Sequence, residues 1–460
     1  MEVIILAAGE GTRMYSDKPK ALHSIGGRAM LEHVVLAARE LRPNNIHVVI
    51  GSEAAQIRGH FKGGDSAGIN WVLQAERLGT GHAVQQALPD IDTRDERNCV
   101  MVLYGDVPLI KSSTLSRLLE QIDPESLALL TVQVENPGGL GRVIRDETGR
   151  VTAIVEERDA NEEQKQIKEV NSGIMCLPAK KLEKWLEKVS NNNQQSEYYL
   201  TDIIGLAARE RCQIKAIIHP DEIEVQGVND KAQLALLEKH YQMNKQQELM
   251  EAGVTLRDPS RVDIRGTVSC GKDCVIDVNV IFEETVTLGD NVVIGANTII
   301  RGATLCDGVQ ILPGTSIDGA TIGENSIIGP YARIRPGTIL DENVKIGNFV
   351  EIKGSKIGAG SKANHMAYIG DAEIGQECNI GAGTIFCNYD GANKHKSILG
   401  NNVFIGSNCV LVAPITLEDE AFVAAGSAIN NDVPAKNLAV GRGRQRNIDR
   451  WKRPAKPEKE

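Results

Sequence analysis

In the first half of the chain, hydrophobic positions come in short β-rich runs: "VIILAA", "IHVVIG", "CVMVLYGD", "LALLTVQV" and "QIKAIIH". Between them lie stretches such as "AMLEHVVLAAREL" and "SSTLSRLLEQI", whose apolar residues return at helical spacing. This alternation predicts a mostly parallel sheet with crossover helices. From Lys231 to about Ala252 the near-helical apolar spacing runs on without Gly or Pro, which predicts one long connecting helix. After Gly253 the period changes to six. Aliphatic residues stand at Leu288, Ile294 and Ile300, then at Ile322, Ile328, Ile334, Leu340, Ile346 and Ile352, then at Leu399, Ile405, Leu411, Leu417, Val423 and Ile429. Six is too short for helix-pair repeats and predicts the hexapeptide form of a parallel β-helix, aliphatic residue inward and a small residue or Gly letting each corner turn. A Gly-rich sandwich with accidental spacing is the competing reading, and three runs in phase speak against it. The chain therefore divides into 1–231, 232–252 and 253–460, with ragged coils between 253 and 287. One stretch, "CNYDGANKHK" from Cys387 to Lys396, breaks the count of six with polar residues.

Composition sharpens this division, since 26 of the 45 glycines fall after residue 252. At 460 residues, 42% hydrophobic and 24% charged, the chain has the makeup of a globular protein of two or three domains. A formal charge of -10 speaks against a general nucleic-acid or membrane-surface binder, so an anionic ligand must be met by local cationic pockets. The start, "MEVIILAAGEGTRM", lacks the basic leader of a signal peptide and reads as a buried first strand. No apolar run approaches the roughly 18 residues of a membrane helix. Nine irregularly spaced cysteines form neither a disulfide framework nor paired CxxC motifs, and we expect free thiols in a reducing cytoplasm.

The first strand runs straight into Gly9, Gly11, Thr12 and Arg13, with Pro19 and Lys20 just beyond. This is neither a P-loop nor a dinucleotide fingerprint, because Met14 stands where a third glycine belongs. A glycine-rich turn alone is as compatible with structure as with binding. Arg13 and Lys20 shift the balance, since backbone amides cradle phosphates while cations neutralise their charge. Asp106, at the end of "LYGD", reads equally well as a ligand or a helix cap.

The run "LAAGEGTRM" with "PK" beyond it, followed in order by "LQAERLGTGHA", "LYGDVPL", "GLGRVI", "IVEERD", "VNSGI" and "EVQGVND", resembles the sugar-1-phosphate nucleotidyltransferases. Over essentially the whole chain the sequence is most similar to the bacterial family that joins an N-acetylglucosamine-1-phosphate uridylyltransferase to a glucosamine-1-phosphate acetyltransferase. The resemblance implies a Rossmann-like nucleotidyltransferase domain and a left-handed parallel β-helix. It implies that Leu6, Ala7, Ala8, Gly9, Gln74, Gly79 and Thr80 line a uridine site, with Tyr104 and Gly105 flanking the nucleotide. Arg13 and Lys20 would hold the triphosphate of UTP, and Gly141, Glu156 and Asn171 the sugar. Asp106 and Asn229 would be oxygen ligands for Mg2+, which takes few carboxylates plus substrate phosphates. Arg77 stands where close relatives more often carry Gln, and stays outside this expected site.

In the second domain the hexapeptides cannot distinguish catalysis from mere oligomerisation. His365 by itself is a surface histidine as readily as a base. Within "KANHMAYIGDAEIGQECNIGAGTIFCNYDGANKHK", however, the resemblance to the acetyltransferase half implies that His365 is the general base toward the sugar amine. It implies that Arg335 and Lys353 bind the sugar phosphate and that Tyr368, Asn379 and Lys394 complete the pocket. Acetyl-CoA would meet Ala382, Asn388, Tyr389, Ser407, Ala425 and Arg442. A zinc enzyme built on such a helix needs three shared histidines, and only His365 and His395 lie near the break. The basic tail, "RGRQRNIDRWKRPAKPEKE", reads as a solvated terminus whose first part is expected to dock on a neighbouring subunit. The family implies a homotrimer acting on small-molecule sugar phosphates, with no nucleic acid or membrane partner. Two alternatives remain open at this point: a single-activity nucleotidyltransferase with a structural β-helix, and a non-catalytic exchange subunit of similar layout.

Overall fold

The computed structural model describes residues 1–61, 67–451 and 453. The chain forms two compact units, 1–242 and 243–460, dividing inside a 21-residue helix, Lys231–Glu251.

In the first unit the opening strand, Glu2–Ala7, lies centrally, parallel to Ile46–Ile50 on one side and to Cys99–Tyr104 on the other. Ile69–Leu73 extends the sheet beyond Ile46–Ile50, again in parallel. Val3, Ile4 and Ile5 are all fully buried, which is why the strand reads as a continuous apolar run and not an alternation. Beyond Cys99–Tyr104 the sheet departs from the parallel expectation. Glu169–Pro178 runs antiparallel both to it and to Ser126–Gln133, and carries the hairpin Arg142–Arg145 with Val151–Val155 on its edge. The chain returns from Ser126–Gln133 through that hairpin and not through a crossover helix, so the returning strand must reverse. Gln213–His219 closes the sheet parallel to Ser126–Gln133.

From the first strand the chain winds outward one way and later returns to the other side. That makes the carboxyl ends of Glu2–Ala7 and Cys99–Tyr104 a topological switch point, where open α/β sheets leave a crevice. The loops carrying Gly9 to Arg13 and Gly105 to Asp106 open there.

The second unit is a stack of parallel coils. Ile294 pairs with Ile311, 17 residues on, and Ile328 with Ile346, 18 on. Coils of 17 explain why the count of six breaks between Ile300 and Ile322: Leu305, Ile311 and Ile317 continue the buried column one residue out of phase. Corners depend less on glycine than expected. Asn291, Asn297, Asn325 and Asn343 occupy left-handed corners themselves. Gly347 is required for a different reason: a Cβ there would stand 1.9 Å from the Asn364 carbonyl oxygen of the next coil.

At the break, Ile380 pairs with Ile405, 25 residues on and therefore 8 more than a 17-residue coil. Ile385–Cys387 still pairs with Val410–Val412 and Ser397–Leu399 with Ile415–Leu417, so the excursion is confined to 388–396. Its tip is knotted by Asp390, whose carboxylate accepts from the Ala392 and Asn393 amides at 2.8 and 2.7 Å and pairs with His395 at 2.6 Å.

Ile352 is fully buried between coils. Ile352→Ala should destabilise the second unit by about 2–5 kcal/mol. In urea, circular dichroism should show an earlier β-helix transition, while the fluorescence transition of buried Trp185 in the first unit stays in place. A matching shift of both signals would contradict the independence of the two units.

Candidate active sites

The glycine-rich turn of the first unit is shaped by two constraints acting on one residue. Gly11 has φ of 65°, and a Cβ there would lie 2.6 Å from Lys20 Cβ. Glycine thus permits both the left-handed backbone and the close approach of the Lys20 stem. Across the crevice Gly105 N donates to the Leu6 carbonyl at 2.9 Å, locking the second loop onto the first strand.

Lys20 Nζ lies 2.5 Å from Asp106 Oδ2 and 3.0 Å from Asn229 Oδ1. Two oxygens from distant parts of the chain therefore converge on one cationic point. Asn229 is oriented by Gln233, whose Oε1 accepts from its amide at 2.7 Å, and Asp106 by the Val228 amide on its carbonyl at 2.9 Å. An oxygen pair of one carboxylate and one amide, already holding a positive charge, is a donor set that suits a hard divalent ion.

Arg13, Tyr104, Asp106, Asn171 and Asn229 line a cleft of about 700 Å³. Gly141, Glu156 and Asn171 are also brought together: Asn171 N donates to the Gly141 carbonyl at 2.8 Å, and a Cβ on Gly141 would stand 3.4 Å from the Glu156 carboxylate. Gln74 Nε2 donates to the Gly79 carbonyl at 3.1 Å, and Thr80 Oγ1 accepts from the Leu200 amide at 3.0 Å. Burial raises the Tyr104 hydroxyl's pKa, and burial likewise lifts that of Glu156, against the hydrogen bond it accepts from Thr201 at 2.8 Å. Leu6 to Gly9 stand at the carboxyl end of the first strand, beneath these groups.

In the β-helix, coil stacking sets residues one coil apart on a common line. Arg335 precedes Lys353, which pairs with Gly370 on the next coil. Arg335 Nη1 bonds Glu351 at 2.9 Å, and Lys353 Nζ lies 3.6 Å from Asp371. The excursion at 388–396 lays Lys394 against Lys353, and the neighbouring Lys353 ammonium pushes the Lys394 pKa down, with Arg335 acting in the same direction. Three like charges gathered on one face form a site awaiting an anion. Buried Asn388 reaches Asp371 Oδ2 at 2.5 Å, and Gly370 leaves room for the Tyr368 hydroxyl and the Asn388 amide.

His365 ends one strand and Tyr368 begins the next, across the corner at Met366. His365 Nδ1 lies 2.7 Å from Asn348 Oδ1, its partner one coil earlier. A carbonyl oxygen only accepts, so Nδ1 carries the proton and Nε2 keeps its lone pair. Ala382, Ser407 and Ala425 form a second column, linked by Asn408 N to the Ala382 carbonyl at 2.7 Å and Gly426 N to the Ser407 carbonyl at 2.8 Å. Arg442 extends it through Nη1 to the Ala425 carbonyl at 2.7 Å. Asn379 sits in its own row between Lys362 and Phe404, and the exposed Tyr389 turns its hydroxyl to the Gly391 carbonyl, so neither touches the cation cluster within one chain. Part of the tail, Lys452 and 454–460, lies outside the described residues.

Gln233, Thr201, Asn348, Glu351 and Asp371 were not singled out from the sequence. Only Asn348 left a signal, standing 17 residues before His365, but that spacing becomes meaningful only once the coil length is known.

The fold and these clusters define a nucleotidyltransferase joined to a hexapeptide-repeat acyltransferase. Residues 3–166 match a MobA-like NTP transferase domain, 261–357 the GMPPB C-terminal domain, and 397–431 the hexapeptide repeat of succinyl-transferase. "Bifunctional protein GlmU" of Stutzerimonas stutzeri is 52% identical, with 99% of each chain covered, and that of Pseudomonas syringae pv. syringae is 53% identical with 100% of each covered. The chain belongs to this GlmU family of bifunctional proteins. It is a bifunctional enzyme, and the single-activity and non-catalytic alternatives fall away.

The Glu156 carboxyl titrates above its ordinary 4.5 in the folded state, so ionising it there works against folding. Below that value both folded and unfolded forms are protonated and nothing is lost; the cost appears as pH rises through the raised pKa. Glu156→Gln should therefore match the wild type in urea midpoint at acid pH and exceed it near neutrality. Identical midpoints throughout would contradict the burial of an ionisable carboxyl.

Proposed function

We propose that this protein makes UDP-N-acetylglucosamine in two steps, acetyl transfer in 253–460 and uridylyl transfer in 1–231. The observation that carries the reading is the cluster of Arg335, Lys353 and Lys394 on the β-helix, which a purely structural spacer has no use for.

In the first step the amine of glucosamine 1-phosphate attacks the carbonyl carbon of acetyl-CoA, and His365 Nε2 takes the amine proton. The carbon–sulfur bond then breaks and coenzyme A leaves as its thiol. Asn348 holds the tautomer this requires. The cation cluster takes the sugar phosphate, with Tyr368 and Asn379 beside the sugar. The Ala382–Ser407–Ala425–Arg442 column, three inter-coil steps or roughly 14 Å long, suits an extended thioester ligand. Asn388 and Tyr389 stand near its upper end on the excursion. Because His365, Asn379 and the cation cluster lie on adjoining faces of one coil stack, a neighbouring copy would have to complete the pocket, in keeping with a homotrimer.

In the second step a phosphate oxygen of N-acetylglucosamine 1-phosphate attacks the α-phosphorus of UTP. The bond to the β-phosphate oxygen breaks and pyrophosphate leaves. Leu6 to Gly9, Gln74, Gly79 and Thr80 hold the uridine beside Tyr104 and Gly105, while Gly141, Glu156 and Asn171 hold the sugar. Asp106 and Asn229 would hold Mg2+, and bound there the ion neutralises charge developing on the phosphates. Lys20 would give up those oxygens and, with Arg13, turn to the triphosphate, so the free protein keeps the oxygen pair gathered around its own cation. Positioning and charge neutralisation supply the rate, without a covalent intermediate. We place the enzyme in the cytoplasm, where its nine cysteines stay free.

His365→Ala should abolish thiol release from acetyl-CoA and glucosamine 1-phosphate while UTP-dependent pyrophosphate release persists; Asp106→Ala should do the reverse. Loss of both activities from either folded variant would refute the two-site assignment. Asn348→Ala should lower kcat for acetyl transfer by about 10-fold or more, as loss of a base-orienting partner does, with pyrophosphate release unchanged.

A further inference from the structure

Arg77 joins three loops that leave the carboxyl ends of three adjacent parallel strands. One guanidinium nitrogen pairs with Glu10, in the glycine-rich turn after Glu2–Ala7. Another donates to Ser52 Oγ at 2.7 Å and lies 3.4 Å from Glu53 Oε2, both in the loop after Ile46–Ile50. Arg77 itself follows Ile69–Leu73. Room for the joint comes from Gly51, where a Cβ would stand 3.0 Å from the Ala8 carbonyl and 3.1 Å from two Arg77 nitrogens. A planar fork with five donors serves several acceptors at once, and a glutamine in this place would keep at most a hydrogen bond to Ser52 and would carry no charge.

We infer that Arg77 is a positioning residue for the nucleotide: it clasps the glycine-rich turn through Glu10 and neutralises the Glu10 and Glu53 carboxylates beside the triphosphate. This rests on the uridylyl-transfer reading above. Without Arg77, two unscreened carboxylates would face the incoming polyanion, and the turn that carries Arg13 would lose its tether. The clasp acts on binding and not on the in-line displacement, so the effect belongs in KM for UTP and not in kcat.

The test is a double-mutant cycle on the full-length protein, with Arg77→Gln, Glu10→Gln and the double variant, each checked for an unchanged thermal transition. Arg77→Gln is expected to raise KM for UTP about two- to fivefold, the range for a partly exposed ion pair, with kcat and acetyl transfer unchanged. Glu10→Gln should have a smaller effect, and the double variant should be no worse than Arg77→Gln, because the pair acts as a unit. Raising the salt should shrink the ratio of variant to wild-type KM. Wild-type turnover of UTP together with an unchanged KM in Arg77→Gln, additive effects in the cycle, or a ratio indifferent to salt would each overturn the clasp. Absence of wild-type turnover would instead overturn the uridylyl-transfer reading on which it rests.

Discussion

Everything chemical in the second unit depends on parallel main-chain pairing between coils. Because one coil hydrogen-bonds to the next in strict register, residues 17 or 18 apart stand in line, and the line is held by a buried column of aliphatic side chains. Substrate-facing groups inherit that rigidity. Asn348 meets His365, and Arg335 stands over Lys353, because the ladder brings them into register and not because their side chains seek each other. The excursion at 388–396 adds to the ladder without disturbing it, since the strands on either side keep their pairings. It carries Lys394 to a face the coils alone would leave with two cations.

The first unit meets the same need by other means. Its site is assembled at a switch point from loops 6 to 13, 104 to 106 and 226 to 229, far apart in sequence, each anchored by a strand or by main-chain hydrogen bonds. The Lys20–Asp106–Asn229 contact shows how such a site stays intact before its ligands arrive: gathered oxygens repel one another, and an internal cation relieves that repulsion. Glu156 shows the opposite, a carboxyl held in a buried place at a cost to the fold, as residues that serve ligands often are.

Much of this was legible in the chain, and the limits of that legibility have identifiable causes. Strands such as Gln213–His219 could be read directly, because burial on both faces leaves an unbroken apolar run. Glu169–Pro178 was not read as a reversed strand, because direction depends on the connection and not on composition. Glycine at the coil corners was expected to supply left-handed backbone, whereas Asn supplies it at several corners and Gly347 answers to the oxygen of the neighbouring coil. Arg77 looked like a neutral departure from its relatives; its three-loop joint exists only where the loops meet in space.

By itself, the sequence determined the period of six, the switch to glycine-rich coils after residue 252 and the order of motifs around Arg13, Asp106 and Asn229, since local spacing and residue type are properties of the chain alone. Tertiary structure decided which residues became partners. A coil of 17 or 18, a reversed strand and an 8-residue excursion each translate distance along the chain into contact. The pairings of Lys394 with Lys353, His365 with Asn348 and Arg77 with Glu10 follow from that translation, because charge and hydrogen bonding act over a few ångströms of space, however many residues lie between.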